Sequence, residues 1–144
     1  MTHTTQEDID TLARTIYGEA RGEYAKAEGG LPSLIAVANV VMNRVQGKKK
    51  FGASIKEVCL KPYQFSCWNP SDPNCAKIAH LRPDQNETTR LCWKVAEAVA
   101  RGDWPDMTKG SDHYFASTMT KIPAWALGQK PRLKLGAHLF YKIV

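Results

Sequence analysis

Ile16-Tyr17-Gly18-Glu19-Ala20-Arg21-Gly22-Glu23 sets one carboxylate into the end of an apolar helical stripe and runs straight into a glycine. Working back from it, Ile9, Leu12, Ala13, Ile16, Tyr17 and Ala20 recur at i, i+3, i+4, i+7, i+8 and i+11, one face of an amphipathic helix. Thr5 and Asp8 have the spacing of a capping box at its start. At about 100° per residue, Glu19 falls beside Leu12 on the edge of the stripe, between core and water, which suits the wall of a cleft. Gly22 is expected to stop the helix. Glu19 would then sit in the last turn, at the negative end of the helix dipole, where a carboxyl is suited to act as an acid. Arg21 and solvent oppose that effect, and on its own Glu19 reads by default as a surface glutamate without a role.

The rest of the chain is mostly helical by pattern. Leu31-Pro32-Ser33 starts a second helix, in which Leu34, Ile35, Val37, Ala38, Val40, Val41, Met42 and Val45 leave almost no polar face, as expected of a buried central helix. Asn39 and Asn43 share a face of it and either bond neighbouring loops or line a cleft floor. Ser54 and Glu57 cap a short third helix. Residues 60 to 83, rich in Pro and Asn, are too long for a plain connection and read as a candidate substrate loop. Leu91, Cys92, Val95, Ala96, Val99 and Ala100 form the stripe of a further helix ended by Gly102. From Ser111 onward, short alternating runs such as Ala137 to Ile143 predict one or two small strands. The expectation is a single α+β domain over residues 1–144, predominantly helical.

The 144 residues carry 20 Lys and Arg against 14 Asp and Glu, a net charge of +6 that attracts anionic polymers, nucleic acid and cell-wall surfaces alike. Lys48-Lys49-Lys50 and the stretch from Lys130 to Lys134 read as solvated loops, and no nucleic-acid motif accompanies them. Cys59, Cys67, Cys75 and Cys92 lack the paired spacing of a zinc site; they fit thiols that stay reduced or form one or two disulfides in an oxidising compartment, with Cys92 also suited to the core. His3, His80, His113 and His138 show no HExxH pairing, which argues against a zinc amidase, and no Gly-x-Ser-x-Gly marks a serine hydrolase. No cofactor or metal is expected. There is neither a basic start followed by an apolar stretch nor a run approaching the ~18 apolar residues of a membrane span. The expectation is synthesis in the cytoplasm without a signal peptide, followed by action in the periplasm.

Four blocks carry a resemblance that covers nearly the whole chain. They are Ala13-Arg14-Thr15-Ile16-Tyr17-Gly18-Glu19-Ala20-Arg21-Gly22-Glu23; Ile35-Ala36-Val37-Ala38-Asn39-Val40-Val41-Met42-Asn43-Arg44-Val45; Tyr63-Gln64-Phe65-Ser66-Cys67-Trp68; and His113-Tyr114-Phe115-Ala116 with Pro123-Ala124-Trp125-Ala126 and Gly136-Ala137-His138-Leu139-Phe140-Tyr141. In this order they resemble the SleB-type cell-wall hydrolases, named for spore-cortex-lytic enzymes and found also among phage lysis proteins. The resemblance implies a small lysozyme-like muramidase that cuts between N-acetylmuramic acid and N-acetylglucosamine in peptidoglycan, with Glu19 as catalytic acid.

Glycoside cleavage usually takes a second carboxylate. None is obvious: Glu23 lies beyond Gly22, Glu28 sits in a Gly-rich stretch, and Asp72, Asp103, Asp106 and Asp112 fall in loops. The resemblance favours lytic transglycosylation, in which one Glu is acid and then base and the product is 1,6-anhydromuramic acid. The alternatives are a hydrolytic lysozyme with a second carboxylate and a non-catalytic basic wall-binding module. Glycan strands need amides and aromatic faces, which points to Gln64, Ser66, Trp68, Tyr114 and Trp125 as binding residues, with Glu23, Asn43 and His113 as secondary candidates. For His113 and His138 a structural hydrogen bond is the reading preferred over catalysis. The expected partner is the peptidoglycan glycan strand, reached by a monomer through a holin pore during phage-mediated host lysis.

Overall fold

The structure, a computed structural model, describes residues 4–26, 29–47 and 50–144. His3, Glu28, Lys48 and Lys49, singled out in the sequence, lie outside the described residues.

Helix α1 (Gln6–Tyr24) opens on the expected capping box: the Thr5 hydroxyl accepts from Asp8 N, and the Asp8 carboxylate accepts from Thr5 N. Asp8 also accepts from Lys56 N at 3.0 Å, so the same residue ties α1 to the start of α3 (Ile55–Leu60). α3 itself is capped by Ser54, whose hydroxyl accepts from Glu57 N. One expectation fails here. Gly22 does not end α1, which runs on to Tyr24. A solvent-facing glycine costs a helix only about 1 kcal/mol, and the turn beyond it is held by the buried Glu23, whose carboxylate accepts from Ala137 N at 3.0 Å.

Helix α2 (Gly30–Gln46) is apolar all round because it is covered on two sides. Leu34, Val37, Ala38 and Val41 join the core built with α1, α3 and α5, while Ala36 and Val40 pack on Phe140 of the sheet. Three polar side chains, Ser33, Asn39 and Arg44, are buried with it. The core contains Leu12, Ile16, Val58, Cys92 and Val95, all fully buried, so the stripes read from α1 and α5 (Glu87–Ala100) both point inward. α5 carries its own capping box, Asn86 with Thr89, and is followed by Gly102 at φ +79°, where a left-handed residue closes the helix.

The stretch from 60 to 83 is more ordered than the loop expected from its composition. It holds a 3-10 turn at Ser66–Trp68 and helix α4 (Pro73–Ala79), which starts on an Asp72 cap followed by proline. The C-terminal part contains three strands, where one or two were expected: β1 (His113–Ala116), β2 (Leu133–Leu135) and β3 (His138–Tyr141), antiparallel in the order β1-β3-β2. Tyr114 lies opposite Phe140, and Leu135 opposite His138. A tight Gly136-Ala137 turn joins β2 to β3. Gly136 has φ +57°, and a Cβ there would lie 2.4 Å from Glu23 Oε2, so both conformation and space call for glycine. Glu23 thereby fastens the end of α1 to the sheet.

Candidate functional site

Glu19 stands half-buried on α1, where that helix faces the 3-10 turn and strand β1. Both carboxylate oxygens hold a donor. The Tyr114 hydroxyl donates to Oε1 at 2.5 Å, and Cys67 N donates to Oε2 at 3.3 Å. Burial, followed by the Glu19 charge, pushes the Tyr114 phenol well above its ordinary range, so it stays a proton donor at any working pH. The approach of the turn depends on Gly18: a Cβ there would come within 2.7 Å of Cys67 Cβ.

Glu19 opens on a cavity of about 430 Å³ lined by Gly18, Ser66, Tyr114, Phe115, Ala116, Met119, Pro123, Trp125 and His138. One wall is aromatic. Trp125 packs on His113 at 4.7 Å between ring centroids, on Tyr141 at 5.4 Å and on Phe115 at 5.8 Å, so its indole is held rigidly. Glu19 is the sole carboxylate among the described residues that line this space.

Of the residues singled out for binding, the fold brings Ser66, Tyr114 and Trp125 to Glu19. Gln64 and Trp68 do not line the cavity. Gln64 turns inward and its Oε1 accepts from Arg44 Nη1 at 3.4 Å. The Trp68 indole N–H donates to Thr15 Oγ1 at 2.8 Å, which swings the ring into a neighbouring groove.

The secondary candidates are occupied by structural bonds. Glu23 accepts from Ala137 N and from Lys26 Nζ, and these bonds hold its carboxyl below the usual range against the opposing effect of burial. The Asn43 amide donates to Asp106 Oδ2 and Ser111 O, so of the two readings left open for it, loop bonding is the observed one. Asn39 does likewise, accepting from Met107 N. His113 meets Asp112 Oδ1 through Nδ1 at 2.9 Å; burial lowers the imidazole's affinity for a second proton, so it is neutral at neutral pH and donates from Nδ1.

Among the loop aspartates, Asp112 receives Ile143 N and Val144 N, and Asp106 receives Thr108 N and Gly110 N. Asp72 caps α4. All four cysteines are free thiols; burial pushes Cys59 and Cys92 up to about 12, and Cys75 donates to Trp68 O.

Two residues near the site have roles that differ from or go beyond the sequence reading. Arg44 lies between the Phe51 and Phe65 rings, at 4.8 and 4.9 Å, donates from Nε to Asp112 O, and sets a positive charge that acts on Tyr114 and Glu19. Its signal was an arginine within an otherwise apolar helix. His138 was read as structural, yet its buried Nδ1 has no partner among the described residues and its ring borders the cavity, 5.0 Å from Tyr114. No group of His, Cys, Asp and Glu able to hold a metal occurs among the described residues, nor any helix long and apolar enough to cross a membrane.

Known proteins share this fold. The catalytic domain of the Bacillus cereus SleB protein superposes with a TM-score of 0.75 and 27% identity, covering 99% of this chain and 94% of that domain. The catalytic domain of the germination-specific lytic transglycosylase SleB from Bacillus anthracis gives 0.72 and 27%, covering 99% of both. The spore cortex-lytic enzyme of Bacillus subtilis strain 168 is 28% identical over 136 residues, 94% of this chain but 38% of the relative. For Bacillus cereus the figures are 28%, 96% and 45%, so the chain spans less than half the length of these curated relatives. The sequence profile of the cell wall hydrolases matches residues 31–141, from α2 to the end of the sheet, and the chain belongs to the cell wall hydrolase family.

Proposed function

We propose that the chain cleaves peptidoglycan glycan strands as a lytic transglycosylase, with Glu19 acting first as acid and then as base. The observation that carries this reading is the single carboxylate of the cavity, bonded on one side by the Tyr114 phenol and on the other by a backbone N–H. Protonated Glu19 gives its proton to the glycosidic oxygen as the bond to muramic acid C1 breaks. The ionised carboxylate then takes the proton of the sugar's own 6-hydroxyl, whose oxygen bonds C1. One C–O bond breaks, one forms, the net proton moves from O6 to the leaving oxygen, and no water is consumed. Hydrolysis would call on a second carboxylate in the cavity, and Glu23, its nearest candidate in sequence, is committed to Ala137 and Lys26. The similarity to the catalytic domain of the lytic transglycosylase SleB from Bacillus anthracis supports the same chemistry.

Mass spectrometry of muropeptides released from purified sacculi tests this directly. Anhydromuramic ends are expected from the unmutated protein, and a loss of at least a hundredfold from folded Glu19→Gln. Reducing muramic ends would mean hydrolysis, and no glycan products would overturn the reading. Phage-mediated lysis with holin-dependent delivery is the finer part of the proposal and rests on the sequence reading. It requires that the chain, expressed inside a bacterium, lyse it when a pore-forming membrane protein is supplied and not otherwise.

A further inference from the structure

Tyr63 is 87% exposed, more than any other large apolar side chain among the described residues, and it is held at φ +65°, a left-handed conformation that non-glycine residues adopt at a cost. Neither fact serves packing. Tyr63 borders a groove of about 290 Å³ whose other walls are Leu60, Lys61, Pro62, Trp68, Asn69 and Pro70: two aromatic rings, two prolines and a leucine, with an amide and an ammonium at hand. Lys61 is tethered through Nζ to Lys50 O, whereas the Asn69 side chain makes no hydrogen bond among the described residues.

The groove adjoins the Glu19 cavity through the 3-10 turn. Ser66 lines the cavity, Cys67 N donates to Glu19, and Trp68, the next residue, lines the groove while its indole N–H bonds Thr15. Thr15 precedes Glu19 by four residues on α1, about 6 Å along the helix axis.

We propose that this groove is a second saccharide subsite, in which an N-acetylated sugar of the strand cut at Glu19 stacks against Tyr63 and Trp68 with its acetamido group toward Asn69. The inference rests on the proposed glycan cleavage and adds to it the place where the polymer is held away from the reacting bond. Flat apolar ring faces flanked by a free amide suit an amino sugar, and a polymeric substrate must continue past the point of cleavage. The left-handed Tyr63 then has a purpose, which is to present its ring to the groove.

Tyr63→Ser, Tyr63→Trp and the unmutated protein are to be compared on sacculi and on a soluble disaccharide of N-acetylmuramic acid linked to N-acetylglucosamine, which holds only the reacting bond and does not extend into the groove. Tyr63→Ser is expected to lose about tenfold in rate on sacculi through a higher KM, to stay within about twofold on the disaccharide, and to melt at the same temperature or above. Tyr63→Trp is expected to stay within about twofold on both. Equal rates of Tyr63→Ser and unmutated protein on sacculi would overturn the subsite while leaving glycan cleavage standing. An equal loss on both substrates would also overturn it, since it would place Tyr63 at the reacting bond. Absence of products from the unmutated protein would remove the proposed function and this inference with it.

Discussion

The Tyr114 hydroxyl reaches Glu19 Oε1 from a ring packed against His138 and Phe140, at 5.0 and 5.4 Å, so its position is set by the sheet. Phenylalanine would keep that packing and remove the donor. Tyr114→Phe should therefore melt within a few degrees of the unmutated protein and lose about tenfold to a hundredfold in kcat on sacculi with little change in KM, since the bond acts on the acid and not on substrate affinity. Residue type alone left such roles unequally readable. A glutamate on the edge of an apolar stripe announces its own position, and Glu19 is where its periodicity places it. Gln64, Ser66 and Trp68 belong to one short block, and their chemistry equally suits sugar binding, but the twist of a 3-10 turn sends them three ways: toward Arg44, toward the cavity and toward Thr15. Nothing in the order of those residues specifies that twist.

At the scale of elements, local signals with a steric or hydrogen-bonding cause were legible. The Thr5 and Asp8 box, the Ser54 cap and Gly102 after α5 act within a turn of chain, and each lies where its chemistry requires. Signals that depend on distant partners were misread. Gly22 looks like a stop until Glu23 is seen to be held by Ala137, 114 positions away. α4 was hidden in a stretch rich in Pro and Asn, although Asp72 followed by Pro73 is itself a helix start. The strands were under-counted because β2, three residues long, owes its existence to pairing with β3 more than to its own pattern.

The whole molecule combines buried imidazoles with carboxylates held below their usual range, and both make it acid-sensitive. Burial lowers His113 and His138, so the folded state takes up protons at lower pH than the unfolded chain, whose histidines titrate at about 6.5. Stability is then lost as pH falls below about 6.5. Hydrogen bonds to the ionised forms of Glu23, Asp106 and Asp112 outweigh the opposing effect of burial and lower these carboxyls, whose contribution is present above the ordinary carboxylate range and lost as pH falls beneath it. Calorimetry from pH 8 to pH 3 should find a Tm that is flat above about 7, declines through 6.5 to 5, and drops more steeply below about 4.5. A Tm that rises on acidification would contradict this account.

Glu19 and the Tyr114 hydroxyl bonded to it are 95 positions apart in the chain, one on α1 and the other on β1. During synthesis the ribosome therefore releases Glu19 long before any counterpart exists to meet it. A nascent or prematurely terminated product lacking the sheet would carry Glu19 on a bare helix, without the hydroxyl that bonds it. The arrangement forms only when the first helix and the late sheet close on one another.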